Sequence, residues 1–277
     1  MLRHQDVPLP GGRTIRAYDT GGEDAFTVVW HHGSPQTGAP PEPLLAATAE
    51  RGVRLVSYAR PSYGGSTPQP DRTVAAAAAD TARVADALGV ARFAVMGASG
   101  GGPHALACVA LLRGRATAAA SLAGLAPPTR DFDWFAGMAS PGGLRSAMKG
   151  RAARAAYAET DGFDPASFTP ADWEALAGAW AWLGDDAQRA GAAGPDGLID
   201  DDVAFTAAWC FDVTRIEAPV LVVQGGEDRV VPPAHAEWLA RHCPRSELWL
   251  RPRAGHVSIL DACPPAIDWL RARADRR

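Results

Sequence analysis

Short apolar runs of strand length alternate with helix-compatible segments along most of this chain, and no other feature restricts its folding more. Residues 14–18, 26–30, 53–58, 92–96 and 116–122 read as strands, each short, apolar and bounded by turn residues. Residues 43–51, 73–88 and 100–112 have the length and composition of helices lying between them. Thr73 stands at the N-cap of the second helix and Gly89 just past its end; the alanine run inside it is strong helix-forming sequence, not a repeat. Strands separated by helices of this length pair in parallel through right-handed crossovers. The expected fold class is therefore α/β, a doubly wound, mostly parallel sheet.

After Gly124 the rhythm breaks. From residue 127 to 216 there is no convincing strand, only Trp, Ala and Asp at helical spacing, which reads as an inserted helical cap. The α/β pattern resumes with a strand at 220–224, a helix at 233–242, a strand at 247–250 and a helix from about 264. The organisation expected is a core of residues 1–126 and 217–277 split around a cap of residues 127–216. At 277 residues and 47% hydrophobic, the chain has material for one large domain with an insertion.

Charge and cysteine usage exclude several classes. With 27 basic against 31 acidic residues the net charge is only -4, without long runs of one sign, so nucleic acid is not an expected partner. No segment reaches 18 uninterrupted apolar residues and the start lacks the apolar stretch of a secretory signal, so a cytoplasmic protein without membrane association is expected. Cys108, Cys210, Cys243 and Cys263 are scattered without a C-x-x-C pair and read as idle thiols. Neither a metal nor a cofactor is expected; the oligomeric state is not legible.

The chemistry is carried by three loops. Residues 95–102 run from an apolar strand through Gly97-Ala98-Ser99-Gly100-Gly101 into a helix, the context a nucleophile elbow requires. Small residues are needed at 97 and 101 because the turn is sharp, and the turn lifts the Ser99 hydroxyl clear of the sheet. A serine hydroxyl is a weak nucleophile at neutral pH and needs a base that is itself oriented by an acid. The strand at 220–224 ends in Gly225-Gly226-Glu227-Asp228, placing a carboxylate at the carboxyl edge where such sheets build their sites; Asp228 is the choice and Glu227 the rival. The last strand is followed by Gly255-His256, which supplies the imidazole. His4, His235 and His242 read as surface residues, and His104 as packing or pocket lining. For the oxyanion of acyl transfer one donor is the Gly100 N–H. The second is Ser34 in His31-His32-Gly33-Ser34-Pro35, since Pro35 has no N–H. His32 is expected to orient that loop by a hydrogen bond within it.

These residues resemble the α/β-hydrolase fold superfamily, in particular its single-domain bacterial serine hydrolases with a helical cap, over nearly the whole chain. Residues 32–35 look like its HGxP oxyanion loop, 97–101 like its elbow, 226–232 like its G-x-D-x-x-x-P acid loop and Gly255-His256 like its terminal G-H. Residues 60–66 resemble its D-R-P-G-x-G-x-S turn, with Ala59 where Asp is usual and Ser62 where Gly is usual. If that turn requires positive φ, Ser62 is strained. The resemblance implies the triad Ser99, Asp228 and His256, and it disfavours the haloalkane dehalogenases and epoxide hydrolases of this fold, which carry Asp at the elbow. Carboxylesterases, lactonases, perhydrolase-type enzymes, aminopeptidases and carbon-carbon bond hydrolases all remain compatible with one triad.

The segment 127–216 is the part of the chain richest in aromatic residues. Most should pack the cap onto the core. Trp134, Phe135 and Met138 follow soonest after the strand that ends near Ser121 and are the candidates to overhang Ser99. An aromatic cleft favours a small apolar or aromatic ester, lactone or thioester. Asp200-Asp201-Asp202 reads as a helix N-cap region ahead of a helical 203–209. Two other classes stay open: a lyase or cyclase that uses the pocket without an acyl-enzyme, and a non-catalytic ligand receptor on the same scaffold.

Overall fold

The computed structural model describes residues 2–22 and 25–274. Its centre is an eight-stranded sheet of β1 (Arg3–Pro8), β2 (Thr14–Asp19), β3 (Thr27–His31), β4 (Arg54–Tyr58), β5 (Phe93–Ala98), β6 (Ala116–Leu122), β7 (Val220–Gly225) and β8 (Ser246–Arg251), in the order β1-β2-β4-β3-β5-β6-β7-β8. From β4 to β8 every pairing is parallel, whereas β1 pairs β2, and β2 pairs β4, antiparallel. The first strand escapes the hydrophobic pattern because it is an edge strand of polar sequence, with Val7 its one buried residue.

The inner strands are apolar without alternation because both of their faces are covered. Along β3, Val29 belongs to a core cluster on one face, with α2 (Ala76–Ala87), α3 (Gly101–Leu111) and α9 (Pro233–His242); Val28 and Trp30 belong to the other, with α1 (Glu42–Glu50) and α10 (Cys263–Ala274). Parallel strands all present their carboxyl ends at the same edge. Loops leaving β3, β5, β7 and β8 therefore meet there, and these are the loops that carry the candidate residues.

Between β6 and β7 lie α4 (Gly142–Ala147), α5 (Arg151–Ala158), α6 (Pro170–Ala177), α7 (Ala181–Ala192) and α8 (Asp196–Thr206), with no strand among the described residues. Helix α6 starts with a reciprocal capping box, Thr169 and Asp172 each bonding the other's backbone N–H.

Three sequence expectations are corrected. Helix α2 begins at Ala76, and Thr73 offers its carbonyl to the Ala76 N–H instead of capping with its side chain. Asp200, Asp201 and Asp202 are not an N-cap: they lie in the middle of α8, buried, because arginines from elsewhere neutralise them. Arg60 and Arg72 pair with Asp201, Arg151 with Asp200 and Arg154 with Asp202. His235 is not a surface residue. It is fully buried, accepts the Ala126 N–H at Nδ1 (3.1 Å) and donates from Nε2 to Trp134 O (2.9 Å), and burial lowers its pKa to about 4.

Candidate active site

Strand β5 is buried throughout and ends immediately before Ser99, which is half-buried at the head of α3. The chain reverses at Ser99 itself, with φ at 53°. A left-handed non-glycine residue costs about 1–3 kcal/mol and persists only where its surroundings impose it. Here the Ser99 N–H donates to Leu122 O of β6 at 2.8 Å. The glycines beside it answer to close approach: a Cβ on Gly97 would lie 2.2 Å from Gly101 O, and one on Gly101 2.0 Å from His31 O.

Asp228 leaves the end of β7 and is buried. Its Oδ1 accepts the N–H groups of Val230 (2.8 Å) and Val231 (2.9 Å), and Oδ2 accepts from Gln224 Nε2 at 3.2 Å. That same Oδ2 lies 2.9 Å from His256 Nδ1, while the rival Glu227 is exposed. A carboxylate has only lone pairs to offer, so Nδ1 carries the proton and Nε2 keeps a free lone pair. Burial alone would lower the His256 pKa, but the charge and hydrogen bond of Asp228, with a smaller contribution from Asp172, raise it above its ordinary 6.5. Among the described residues no hydrogen bond joins His256 to Ser99.

The loop after β3 lies against the elbow. A Cβ on Gly100 would sit 2.5 Å from Ser34 Oγ, which measures how close the two come. Neither the Gly100 N–H nor the Ser34 N–H donates to a protein acceptor among the described residues. The Ser34–Pro35 peptide is cis. His32 donates from Nδ1 to Gly33 O at 2.6 Å and accepts the Arg60 N–H at Nε2 (3.1 Å), so it orients this loop as a neutral imidazole, with burial holding its pKa well below the usual range. Arg60 binds His32 O, Gly33 O and Ser34 Oγ, and then pairs at 2.6 Å with Asp201 of α8. Ser34 Oγ donates to Asp201 Oδ2 at 2.5 Å. Flanked by Arg60 and Arg72, Asp201 stays ionised despite complete burial, its pKa far below the ordinary carboxyl range.

Ser62, in the turn that departs from the usual glycine, has φ at 72° and donates to Asp200 Oδ2 at 3.0 Å. The strain that the sequence made conditional on a positive φ is present.

Of the three aromatic-segment candidates, Trp134 is buried with its indole N–H on Ala126 O (3.0 Å) and its ring 5.0 Å from that of His235. Phe135 lies under the Arg145 guanidinium at 4.3 Å, and Met138 is half-buried one residue before Ala139, whose N–H bonds Arg229 O beside Asp228. The ring placed against the elbow is instead Phe205 of α8, whose Cζ would be 2.8 Å from a Cβ on Gly100 and which meets His104 edge-on at 5.6 Å. Phe205 was visible in the sequence only as one aromatic among many; its aim depends on how α8 docks.

Asp172 was also missed. It is fully buried, and its carboxylate takes the N–H groups of His256 (3.2 Å), Val257 (2.8 Å) and Ser258 (2.8 Å). The sequence Thr169-Pro170-Ala171-Asp172 signals a capping box, but not this second use. No group of three or more His, Cys, Asp or Glu is arranged to hold a metal ion among the described residues.

The profile described as "Alpha/beta hydrolase family" matches residues 28–267. The enol-lactonase from Burkholderia xenovorans LB400 is similar at 20% identity and a TM-score of 0.73, covering 98% of this chain and 100% of that one. A thermophilic esterase from Thermogutta terrifontis is similar at 21% identity and a TM-score of 0.68, covering 98% and 99%. At such identities the likeness speaks for the fold. The pimeloyl-[acyl-carrier protein] methyl ester esterase of Nitrosomonas europaea is 35% identical over 49 residues, a stretch spanning 18% of this chain and 19% of that protein.

Proposed function

The chain belongs to the alpha/beta hydrolase family, and from that premise we propose that it is a serine hydrolase that cleaves a carboxylic ester, lactone or thioester of a small apolar or aromatic substrate. The observation that carries the reading is the part-buried 2.9 Å hydrogen bond from His256 Nδ1 to Asp228, which leaves the Nε2 lone pair to act as base at the elbow. The strained Ser99 and the two unclaimed N–H groups of Gly100 and Ser34 support it.

In this reading Ser99 Oγ attacks the substrate carbonyl carbon while His256 Nε2 takes its proton. The carbonyl oxygen gathers negative charge, which the Gly100 and Ser34 N–H groups receive. The bond to the leaving group breaks as the imidazolium returns the proton to it. Water, deprotonated by the same imidazole, then attacks the acyl-enzyme and restores Ser99. Asp228 stays ionised and holds the imidazolium. Helices α4–α8 with their flanking segments form the cap, residues 127–216, over this site. Phe205 supplies an apolar wall beside the elbow, with Trp134, Phe135 and Met138 in the same apolar cluster, which favours an apolar acyl or leaving group over a charged one.

A panel of short aryl esters tests this. Turnover with an initial burst equal to the enzyme concentration is expected for at least one ester, and Ser99→Ala should lose about 10⁴–10⁶ in kcat. Turnover that survives Ser99→Ala undiminished would contradict the reading.

A further inference from the structure

Asp172 lies outside the core that carries Ser99, Asp228 and His256, yet its carboxylate is saturated. Oδ1 accepts from the Val257 N–H (2.8 Å), the Ser258 N–H (2.8 Å) and Ser258 Oγ (2.9 Å). Oδ2 accepts from the Thr169 N–H (3.0 Å), Thr169 Oγ1 (2.9 Å) and the His256 N–H (3.2 Å). Two of these six donors, both of Thr169, belong to the helix cap; the other four belong to the loop that carries the imidazole. Ser258 Oγ in turn accepts the Gly255 N–H at 2.8 Å, so the loop is closed on the carboxylate from both sides.

We propose that Asp172 is a positioning residue of the active site: from helix α6 of the cap it fixes the backbone of the His256 loop, so that the imidazole keeps its place on Asp228 and its reach to Ser99. The inference rests on the serine-hydrolase reading above. Gly255 shows that the junction is built for this contact: its backbone is not left-handed, and a Cβ there would lie 2.0 Å from Asp172 Oδ2 and 2.6 Å from Thr169 Oγ1. An amide cannot replace the carboxylate, because an Asn offers one acceptor oxygen and turns two N–H donors toward groups that are themselves donors. Docking of α6 and alignment of the base are thus one event: a cap that lifted α6 would release the loop that holds His256.

The charged groups facing His256 are Asp228 from the loop after β7 and Asp172 from α6, and both stabilise the protonated imidazole. Removing the Asp172 charge therefore moves the His256 titration to lower pH. That part of the shift follows from charge alone; a shift in Ser258→Ala, which keeps the Asp172 charge, is what a contact that merely ties α6 to the core would not produce.

The test compares wild type with Asp172→Asn and with the milder Ser258→Ala, each first checked for a cooperative unfolding transition. Two quantities are read: the His256 imidazole titration by heteronuclear NMR, assigned with His256→Gln, and the kcat and KM of the best aryl ester across pH. For Asp172→Asn we expect a loss of about 10²-fold in kcat with KM little changed, the scale of a misplacement near 1 Å. The imidazole titration and the acid limb of activity should both move to lower pH. Ser258→Ala should move both in the same sense by less, and it decides the matter if Asp172→Asn does not fold. A folded variant with lowered thermal midpoint but unchanged titration and kcat would overturn the proposal. Absence of Ser99-dependent turnover in wild type would instead strike the functional reading, and the NMR titration would still decide whether Asp172 acts on His256.

Discussion

At Ser62 the chain accepts a left-handed backbone that a glycine would adopt freely, and it gains a hydrogen bond to buried Asp200. Ser62→Ala keeps the strain and loses the bond, so it should destabilise by about 1 kcal/mol, whereas Ser62→Gly relieves the strain and should cost less. Urea unfolding orders the two variants: equal losses would show that the left-handed backbone carries no strain, and no loss in Ser62→Ala would show that the hydroxyl contributes nothing. The His256 base is active only when neutral. Because its pKa is raised above 6.5, kcat/KM should fall as pH drops through that raised value, with the acid midpoint above 6.5. A midpoint at or below 6.5 would contradict the carboxylate environment described. Part of this scale was legible in the sequence: Ser99, Asp228 and His256 each follow the carboxyl end of a strand, and Asp228 and His256 are hydrogen-bonded. Asp172 and Asp201 were not, because a helix interior can be recognised from spacing while the distant arginine or loop that a carboxylate will face cannot.

At the scale of elements, α8 is held to the core by buried charge. Asp201 lies between Arg60, which grips the Ser34 loop, and Arg72. Removing one member of such a cluster leaves the others buried without compensation, so Asp201→Ala should lower the unfolding free energy by about 3–5 kcal/mol. Denaturant titration reads this directly; a loss under 1 kcal/mol would mean that water reaches the cluster. The inner strands were read within a residue or two because burial on both faces makes them continuously apolar. Strand β1 was lost because an edge strand with one buried residue has no such signature. The start of α2 was placed too early because Thr73 can bond through its backbone as readily as through its hydroxyl.

Over the whole molecule, the sheet and its two covering layers leave Cys210 exposed and bury Cys108, Cys243 and Cys263; burial pushes the Cys108 and Cys243 thiols up to about 12. Native protein should show one fast thiol toward a disulfide reagent and four after denaturation; two or more fast thiols would show a looser packing of α3, α9 or α10 on the sheet. No helix among the described residues is long and apolar enough to cross a membrane. The fold class could be read from the strand and helix rhythm alone, while the direction in which the aromatic rings of residues 127–216 face could not, since it depends on helix docking that local pattern does not encode. The central claim, that this architecture serves to make Ser99 a nucleophile, is tested most directly by intact and peptide mass after exposure to a fluorophosphonate. A single adduct on Ser99 in wild type, absent from Ser99→Ala and strongly slowed in His256→Ala, is the predicted result. Labelling that persists in Ser99→Ala, or no labelling of folded wild type, would contradict it.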